Sequence, residues 1–410
     1  MTSDKLCLAL AVVMAPLFLI GALKAFQAPE VKPREAFPGV KQQWQNPNDL
    51  FSVLLIVGGD IIQRAIAQLC SPYYFTPVAF SFGWVSYAVS AITSAIGDGK
   101  LMPEIDCPSI IINTKSGYAR TNSSWILGRI LRDWPDDLLK APPGQREPAL
   151  VVTYCVQQPK NAGRPRLDMV WWFGVFVIIT QILISIIPGV RDGAWTVLVI
   201  TGGGTLVCLA QSALPQWTSE KFSCRDLSEK QVQTIALTRG NGSNFVLVIK
   251  SESGGLNLED LASARVKKHH TTLPFTLALS VVWFVVLLTA IAVQENTWYL
   301  LLVGGIGMVQ NIFAAGYKRQ PDALGIHLET KDCIGPKEAG VNKVFDVLKE
   351  VEQRLGGGVG LALLPTFFPG ELWPNEQAWK DEVMTKLKAE KAAKSDKKNV
   401  LVAPQRSFTK

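Results

Sequence analysis

The sequence predicts a membrane all-α protein, a seven-helix polytopic bundle with a small cytosolic α+β domain built from long loops and the C-terminal tail. The first observation behind this prediction is a set of seven apolar stretches, each close to the roughly 20 residues that cross about 30 Å of hydrocarbon. The second is that 37 of the 41 Lys and Arg residues fall in alternate connecting segments. The third is a group of strand-like runs inside those segments.

Seven apolar blocks define the predicted transmembrane helices. The mean hydropathy of +0.20 lies above that of ordinary soluble proteins because the apolar residues, 48% of the chain, are concentrated in these blocks. The blocks are residues 6–26, 50–69, 77–97, 170–190, 194–214, 274–293 and 298–317.

The basic residues predict how the helices are oriented. With the N-terminus outside, residues 27–49, 98–169, 215–273 and 318–410 lie in the cytosol and carry 3, 10, 8 and 16 Lys plus Arg. This distribution obeys the positive-inside rule. A cleaved signal peptide in the first block is disfavoured, because its removal would place the ten basic residues of the second segment outside. We therefore expect a multi-pass membrane protein with a cytosolic C-terminus.

These boundaries divide the chain into six predicted parts. They are transmembrane helices 1 to 3 (1–97), a cytosolic loop with strands and an amphipathic helix (98–169), a transmembrane hairpin (170–214), a cytosolic loop with a β-hairpin (215–273), a second transmembrane hairpin (274–317) and a cytosolic tail that is Lys-rich and disordered at its end (318–410).

The loops and the tail carry the pattern of a small folded domain. Two runs, 234–238 and 245–250, flank an Asn241-Gly242 step, which is typical of a tight β-hairpin turn. Further strands are predicted at 109–113 and 150–156, with amphipathic helices near 125–138 and 341–355. The first of these helices could pack on the sheet or lie among lipid headgroups, and packing is the simpler reading.

The net charge of +7 has a membrane interpretation. The basic residues flank helix ends, where they contact anionic lipid, and no nucleic-acid-binding motif accompanies them, so the predicted partners are the bilayer and anionic headgroups, with no nucleic acid. A cytosolic protein partner is left open. Seven irregularly spaced cysteines predict free thiols, and with only three histidines no metal or cofactor is predicted. Nucleotide-binding loops and hydrolase motifs are absent from the sequence.

The most distinctive polar feature inside an apolar block is Asp60 with Gln63 and Arg64. A charge at the centre of a membrane helix costs about 2.5–3.5 kcal/mol on insertion scales, and positions i and i+4 can pair. We predict a structural ion pair that fixes helix register, joined by polar side chains of other helices; a substrate or proton site is the alternative, and the second block not crossing the membrane is a further one. The candidate companions are Gln181, Gln310 and Asn311.

Two further clusters of charged residues stand out in the sequence, one basic and one acidic. Arg265, Lys267 and Lys268 precede the sixth helix, where they predict contact with anionic lipid headgroups. Asp133, with the acidic pair at 136–137, resembles part of a diphosphate–magnesium site, but a proline interrupts it and no second acidic motif follows, so a helix end is the favoured interpretation.

Several motifs resemble a family of multi-pass integral membrane proteins from filamentous ascomycete fungi. They include the run from Asn48 to Arg64, the Pro77–Trp84 run, Trp125-Ile-Leu-Gly-Arg129, Leu237–Gly242 and Phe367-Phe-Pro-Gly-Glu-Leu372. The resemblance covers most of the chain except the Lys-rich tail. It implies a membrane protein but no activity, because the family is uncharacterised.

Three functions follow from these observations. The leading expectation is a non-catalytic scaffold or sensor with a cytosolic domain, because much of the chain lies in the predicted cytosolic segments and no catalytic motif is present. The alternatives are a membrane-embedded enzyme acting on a lipid or isoprenoid, with Asp60 as proton donor or acceptor, and a small-molecule transporter. A cavity that reaches Asp60 would favour the enzyme, and a polar path through the helices would favour transport.

Overall fold

The computed structural model describes residues 58–97, 99–135, 148–229, 231–265, 269–293, 295–335 and 343–402. The chain forms two compact units. A helical unit contains residues up to Glu104 together with Gly163–Ser223 and Ala264–Ile326, and an α/β unit contains Ile105–Ala162, Cys224–Ser263 and residues from His327 onwards. The predicted first helix, 6–26, and the start of the second, 50–57, lie outside the described residues.

The elements are numbered here in chain order. They are α1 (Gly59–Leu69), α2 (Gly83–Ile96), β1 (Ile110–Asn113), β2 (Ala119–Thr121), α3 (Trp125–Asp133), β3 (Val151–Gln157), α4 (Met169–Asp192), α5 (Thr196–Ser212), α6 (Pro215–Lys221), β4 (Gln233–Thr238), β5 (Phe245–Ser251), α7 (Leu258–Ala262), α8 (Thr272–Ala292), α9 (Thr297–Gly316), β6 (Leu328–Ile334), α10 (Val344–Leu355), α11 (Val359–Phe367) and α12 (Pro374–Val402), with short 3-10 turns at Pro159–Asn161 and Pro321–Leu324.

Within the described residues, three helices are long and apolar enough to cross a membrane: α4, α8 and α9. The consecutive helices α5 and α6 would make a fourth if the pair, bent by 42°, counts as one span. Large apolar side chains such as Phe176 and Leu288 point outward from α4 and α8, with 64% and 66% of their surface exposed. Such apolar outer surfaces suit contact with lipid. The predicted seven-helix bundle is not reproduced in the described part of the chain.

The main difference from the prediction concerns the third apolar block. Its helix begins at Gly83, and residues 77–82 are non-helical instead. With 11 and 14 residues, α1 and α2 reach only about 16 and 21 Å at 1.5 Å per residue, too short for a 30 Å core. The non-helical residues Thr76–Phe82, here called the buried segment, are all buried.

The helices of this unit pack around the buried segment. Following the contacts, α1 packs on α2, α2 on α8, α8 on α5, α5 on α4, α4 on α9, and α9 again on α1. The short connection between α4 and α5 makes these neighbours antiparallel. Arg319, just beyond α9, contacts Asp168 at the start of α4, and Thr272 at the start of α8 contacts Gln216 just beyond α5. As a result α4 and α8 begin, and α5 and α9 end, at one end of the unit. That end is called the Asp168 end, after the residue that caps α4.

The α/β unit is built on a six-stranded mixed sheet in the order β2-β1-β4-β5-β3-β6. The predicted hairpin forms as β4 and β5, which pair antiparallel through Leu237 and Leu247. Only β3 and β5 are parallel among the described strands. Helices α10 and α11 cover one face, where Leu348, Val351 and Leu363 are fully buried against strand residues. The predicted strands and both amphipathic helices lie in this unit close to their expected positions.

Candidate functional site

The buried segment is held by amide side chains of the surrounding helices. Gln310 on α9 pairs with it as a neighbouring strand would, since its Nε2 donates to the carbonyl of Pro77 at 3.2 Å and its Oε1 accepts from the amide of Ala79 at 3.0 Å. An irregular backbone buried away from water must find such partners, because each unsatisfied group there costs several kcal/mol. The Gln310 side chain therefore replaces the hydrogen-bond partners that these backbone groups would have had within a helix.

Two more amides complete this bracing. Gln181 on α4 donates to the carbonyl of Phe80 at 2.7 Å and to that of Val303 at 2.8 Å, so it ties the segment to α9. Asn311 donates to the carbonyl of Ala79 at 3.2 Å and to the hydroxyl of Ser81 at 3.1 Å. All three amides are fully buried.

Glycines make room for the buried segment. A Cβ atom on Gly307 would overlap the carbonyl oxygen of Phe80, and one on Gly174 would overlap the carbonyl oxygen of Pro77. Gly204 and Gly304 lie against the rings of the segment's phenylalanines in the same way. The glycines of the fifth and seventh predicted helices therefore leave room for the buried segment, as well as allowing close helix contact.

Stacked aromatic rings fill the space beside the segment. The ring of Trp283 on α8 stacks on Phe80 at 6.1 Å and on Trp84 at 5.8 Å between centroids. The indole nitrogen of Trp283 donates to Gln211 at 2.8 Å, and that of Trp84 donates to the carbonyl of Ala79 at 2.9 Å. Both tryptophans are at most 1% exposed. The space between these helices is thus packed with aromatic rings, which disfavours a polar path at this point.

A group of charged residues anchors the end of α1 at the Asp168 end. Arg319, just beyond α9, forms a two-pronged ion pair with Asp168 at 2.7 and 2.8 Å and also donates to the carbonyl of Gln68. Lys221, 2% exposed, donates to the carbonyls of Gln68 and Cys70 at 3.2 and 3.0 Å. Cations favour the C-terminus of a helix, where carbonyls lack partners. These contacts fix the direction of α1.

This arrangement overturns the predicted path of the second apolar block. The seven-helix topology requires residues 70–76 to lie at the end opposite Asp168. Instead, Trp171 at the start of α4 donates to the carbonyl of Phe75 at 3.1 Å. The chain also returns to this end after α2, where the amide of Leu101 donates to Glu220 at 2.9 Å. Residues 70–101 therefore enter the helical unit and leave it at the same end.

A groove of about 880 Å³ opens between α1, α2 and α8. Its apolar wall includes Leu287, and Asp60 stands at the start of α1 beside the small residue Gly59. Ser86, Ser90 and Thr93 from α2 add a polar strip. The start of α1 lies next to Met308, eight residues before the end of α9 and thus about 12 Å from the Asp168 end. Asp60 therefore lies about 12 Å from that end along the helices, with its side chain exposed.

The structure separates the predicted polar candidates into two places. Asp60 and Arg64 are both exposed, and no ion pair joins them in the described part of the chain. Gln63 donates instead to the carbonyl of Leu101 at 2.8 Å. The amides predicted to join Asp60 bind the buried segment. What lies at Asp60 is a groove rather than a closed polar cluster.

No protein-family model, curated protein or solved structure matches this chain. The resemblance to membrane proteins of filamentous fungi therefore stays a prediction.

The remaining candidate clusters are structural where they are described. Asp133 accepts from Arg129 and Arg132 at 2.7 and 2.8 Å, inside a buried ion cluster with Asp106. Because these arginines occupy the carboxylates, a magnesium site at Asp133 is disfavoured. Arg265 is exposed; Lys267 and Lys268 lie outside the described residues, as do positions 136 and 137. Among the described residues, no group of three or more His, Cys, Asp or Glu is placed to hold a metal ion.

Two thiols of the α/β unit, those of Cys155 and Cys224, lack the character of nucleophiles. Burial raises the pKa of Cys155 to about 11 and that of Cys224 to about 12. Both are therefore protonated at neutral pH, whereas a reactive cysteine needs a lowered pKa. No disulfide joins the cysteines within the described residues.

Sequence patterns do not single out three residues of the Asp168 end: Asp168, Lys221 and Arg319. Asp168 immediately precedes α4, Lys221 is the last residue of α6, and Arg319 lies three residues beyond α9. Charged residues are common at such positions beside apolar helices. Asp168 gives one usable signal, because an Asp immediately before an apolar helix is a preferred N-cap, and its carboxylate accepts from the amide of Trp171 at 3.1 Å.

Proposed function

We propose that this protein is a multi-pass membrane sensor or scaffold, in which the α/β unit reads the state of the helical unit without catalysing a reaction. The observation that carries the proposal is the path of the chain through the sheet. Strands β1 to β3 follow α2, strands β4 and β5 follow α6, and β6 follows α9.

The strands from these separate segments are interleaved. β3 from the first segment lies between β5 from the second and β6 from the tail, so the sheet forms only when all three segments are in register. Each segment is covalently joined to helices of the ring. A shift of one helix against another therefore strains the sheet through the chain itself, which is the coupling that a sensor requires.

The membrane-embedded enzyme is the second candidate, because a groove reaches Asp60. The composition of the groove makes the enzyme the weaker candidate. Asp60 is the one ionisable side chain among the described residues that line it, whereas acid–base chemistry on a lipid needs at least a base positioned against a reacting group and a group that stabilises the charge formed. Transport is disfavoured by the aromatic packing beside the buried segment.

The test is amide hydrogen exchange of the full chain in nanodiscs. Replacing Asn311 by Leu removes two hydrogen bonds that hold the buried segment. If the α/β unit reads the helical unit, exchange in β3, β5 and β6 should rise roughly 2- to 30-fold, the range expected for a coupling of about 0.5–2 kcal/mol.

The control is Leu183→Ala, because Leu183 is 60% exposed on α4 and its removal leaves the bracing intact. The control should leave the strands unchanged. Faster exchange in the helices of the Asn311→Leu variant together with an unchanged sheet would contradict a sensor.

A further inference from the structure

We propose that the groove at Asp60 binds an amphiphile that carries an amino group, with the ammonium on the Asp60 carboxylate and the hydrocarbon chain along α2 and α8. This inference rests on the proposed membrane sensor and names its ligand class.

The groove carries one formal charge among its described lining residues, and that charge is negative. Asp60 lies in the first turn of α1, where no side chain caps the helix and where the helix dipole favours an acidic side chain. A carboxylate facing an apolar groove is most strongly satisfied by a cation that also donates hydrogen bonds. Charge complementarity therefore selects an ammonium over a neutral or anionic head group.

The hydroxyls that line the same groove as Asp60 add acceptors rather than donors. The Ser90 hydroxyl donates to the carbonyls of Ser86 and Tyr87 at 3.1 Å, and the Thr93 hydroxyl donates to the carbonyl of Ser90 at 2.8 Å. With their protons held by the helix backbone, these oxygens offer lone pairs to the groove. An ammonium has three donors and no acceptor, which matches such a surface.

The walls fit a hydrocarbon chain. Val85, Val89 and Leu287 line the groove along α2 and α8, and Val89 is 48% exposed. The volume of about 880 Å³ lies within the range of about 300–1,000 Å³ typical of ligand sites. Since α2 is apolar and lies beside the long helix α8, a ligand chain could lie parallel to α2 with its head at Asp60.

The experiment uses the full chain in nanodiscs and three probes with the same 18-carbon chain and a mid-chain diazirine: a primary amine, an alcohol and a carboxylate. After photolysis, labelled peptides are mapped by mass spectrometry. The amine should label peptides of α1, α2 and α8 saturably and more strongly than the other probes. In Asp60→Asn, labelling by the amine should fall at least about tenfold to the level of the alcohol, because the charged partner is lost.

Two variants keep the test decisive. Asp192→Asn removes an exposed carboxylate at the end of α4 and should leave labelling unchanged. Val89→Trp fills the groove while keeping Asp60 and should abolish amine labelling in a monodisperse protein, so it answers the question even if Asp60→Asn does not fold. Equal labelling by all three probes, preferred labelling by the carboxylate, or amine labelling that persists in Asp60→Asn would overturn the assignment. None of these outcomes depends on exchange in the α/β unit, so this inference and the sensor proposal fail separately.

Discussion

At the scale of single residues, the helical unit depends on side chains that form hydrogen bonds with backbone groups. Gln181, Gln310 and Asn311 were predicted from their unusual position in apolar helices, and each is fully buried. Their position in apolar helices indicates that they need partners, and the predicted partners, Asp60 and Arg64, are wrong. The amides bind a stretch of backbone instead, because a non-helical chain among helices exposes amides and carbonyls that its own neighbours cannot satisfy.

Gly307 offers the sharpest test at this scale. In Gly307→Ala, the added Cβ would overlap the carbonyl oxygen of Phe80, and backbone cannot move aside as a side chain can. We expect a loss of about 3 kcal/mol, measured as a lower midpoint of thermal unfolding in detergent.

The matched control lies two residues away on the same helix. A Cβ at Gly305 meets nothing within 4 Å, so Gly305→Ala should keep the midpoint or raise it through the better helix propensity of alanine. Equal losses in both variants would mean that the buried segment is not where the structure places it.

At the scale of elements, α1 is defined by its C-terminus. Its last turn has no basic residue of its own, and the cations that serve its carbonyls come from α6 and from the residues after α9. The buried pair of Arg319 and Asp168 also joins the end of α9 to the start of α4. Removing one member of a buried pair leaves the other charge uncompensated.

Arg319→Gln should therefore destabilise the protein by about 3–5 kcal/mol, the range for breaking a buried pair, read as a lower unfolding midpoint. The comparison is Arg166→Gln, because Arg166 pairs with Asp322 at 2.7 Å but its side chain is 60% exposed. That variant should change stability by about 1 kcal/mol or less. A loss of similar size in both would count against the anchoring of α1.

At the scale of the whole molecule, the charge pattern does not determine the path of the chain through the helical unit. Residues 70–76 contain no Lys or Arg, so a hairpin that crosses a membrane and one that enters and returns at the same end place the later basic residues identically. The length of an apolar block cannot separate these cases either. The non-helical residues 77–82 have the same apolar composition as a buried helix, because they too are buried.

Cysteine labelling separates the two paths without reference to orientation. In a membrane-impermeant maleimide assay on intact cells, Tyr74→Cys should react as Arg166→Cys does, because both lie near the Asp168 end, and opposite to Asp192→Cys. Tyr74 is 44% exposed, which leaves the probe accessible. Reactivity of position 74 that follows position 192 would restore the crossing hairpin.

The sequence by itself determined the apolar character of α4, α8 and α9, and it predicted β1, β3, the β4–β5 hairpin and the amphipathic helices α3 and α10 of the α/β unit. These features rest on local periodicity and turn chemistry, which short stretches of chain carry by themselves.

Only the tertiary structure decided that the Pro77–Phe82 run is non-helical, that buried amides brace it, and that Asp60 faces a groove rather than pairing with Arg64. The bracing hydrogen bonds join residues 101 to 233 positions apart in the chain, such as the 231 between Ala79 and Gln310. Tertiary packing decides which residues become hydrogen-bond partners at that separation. The apolar composition of a buried segment is the same whether its backbone is helical or not, so composition alone cannot tell the two apart.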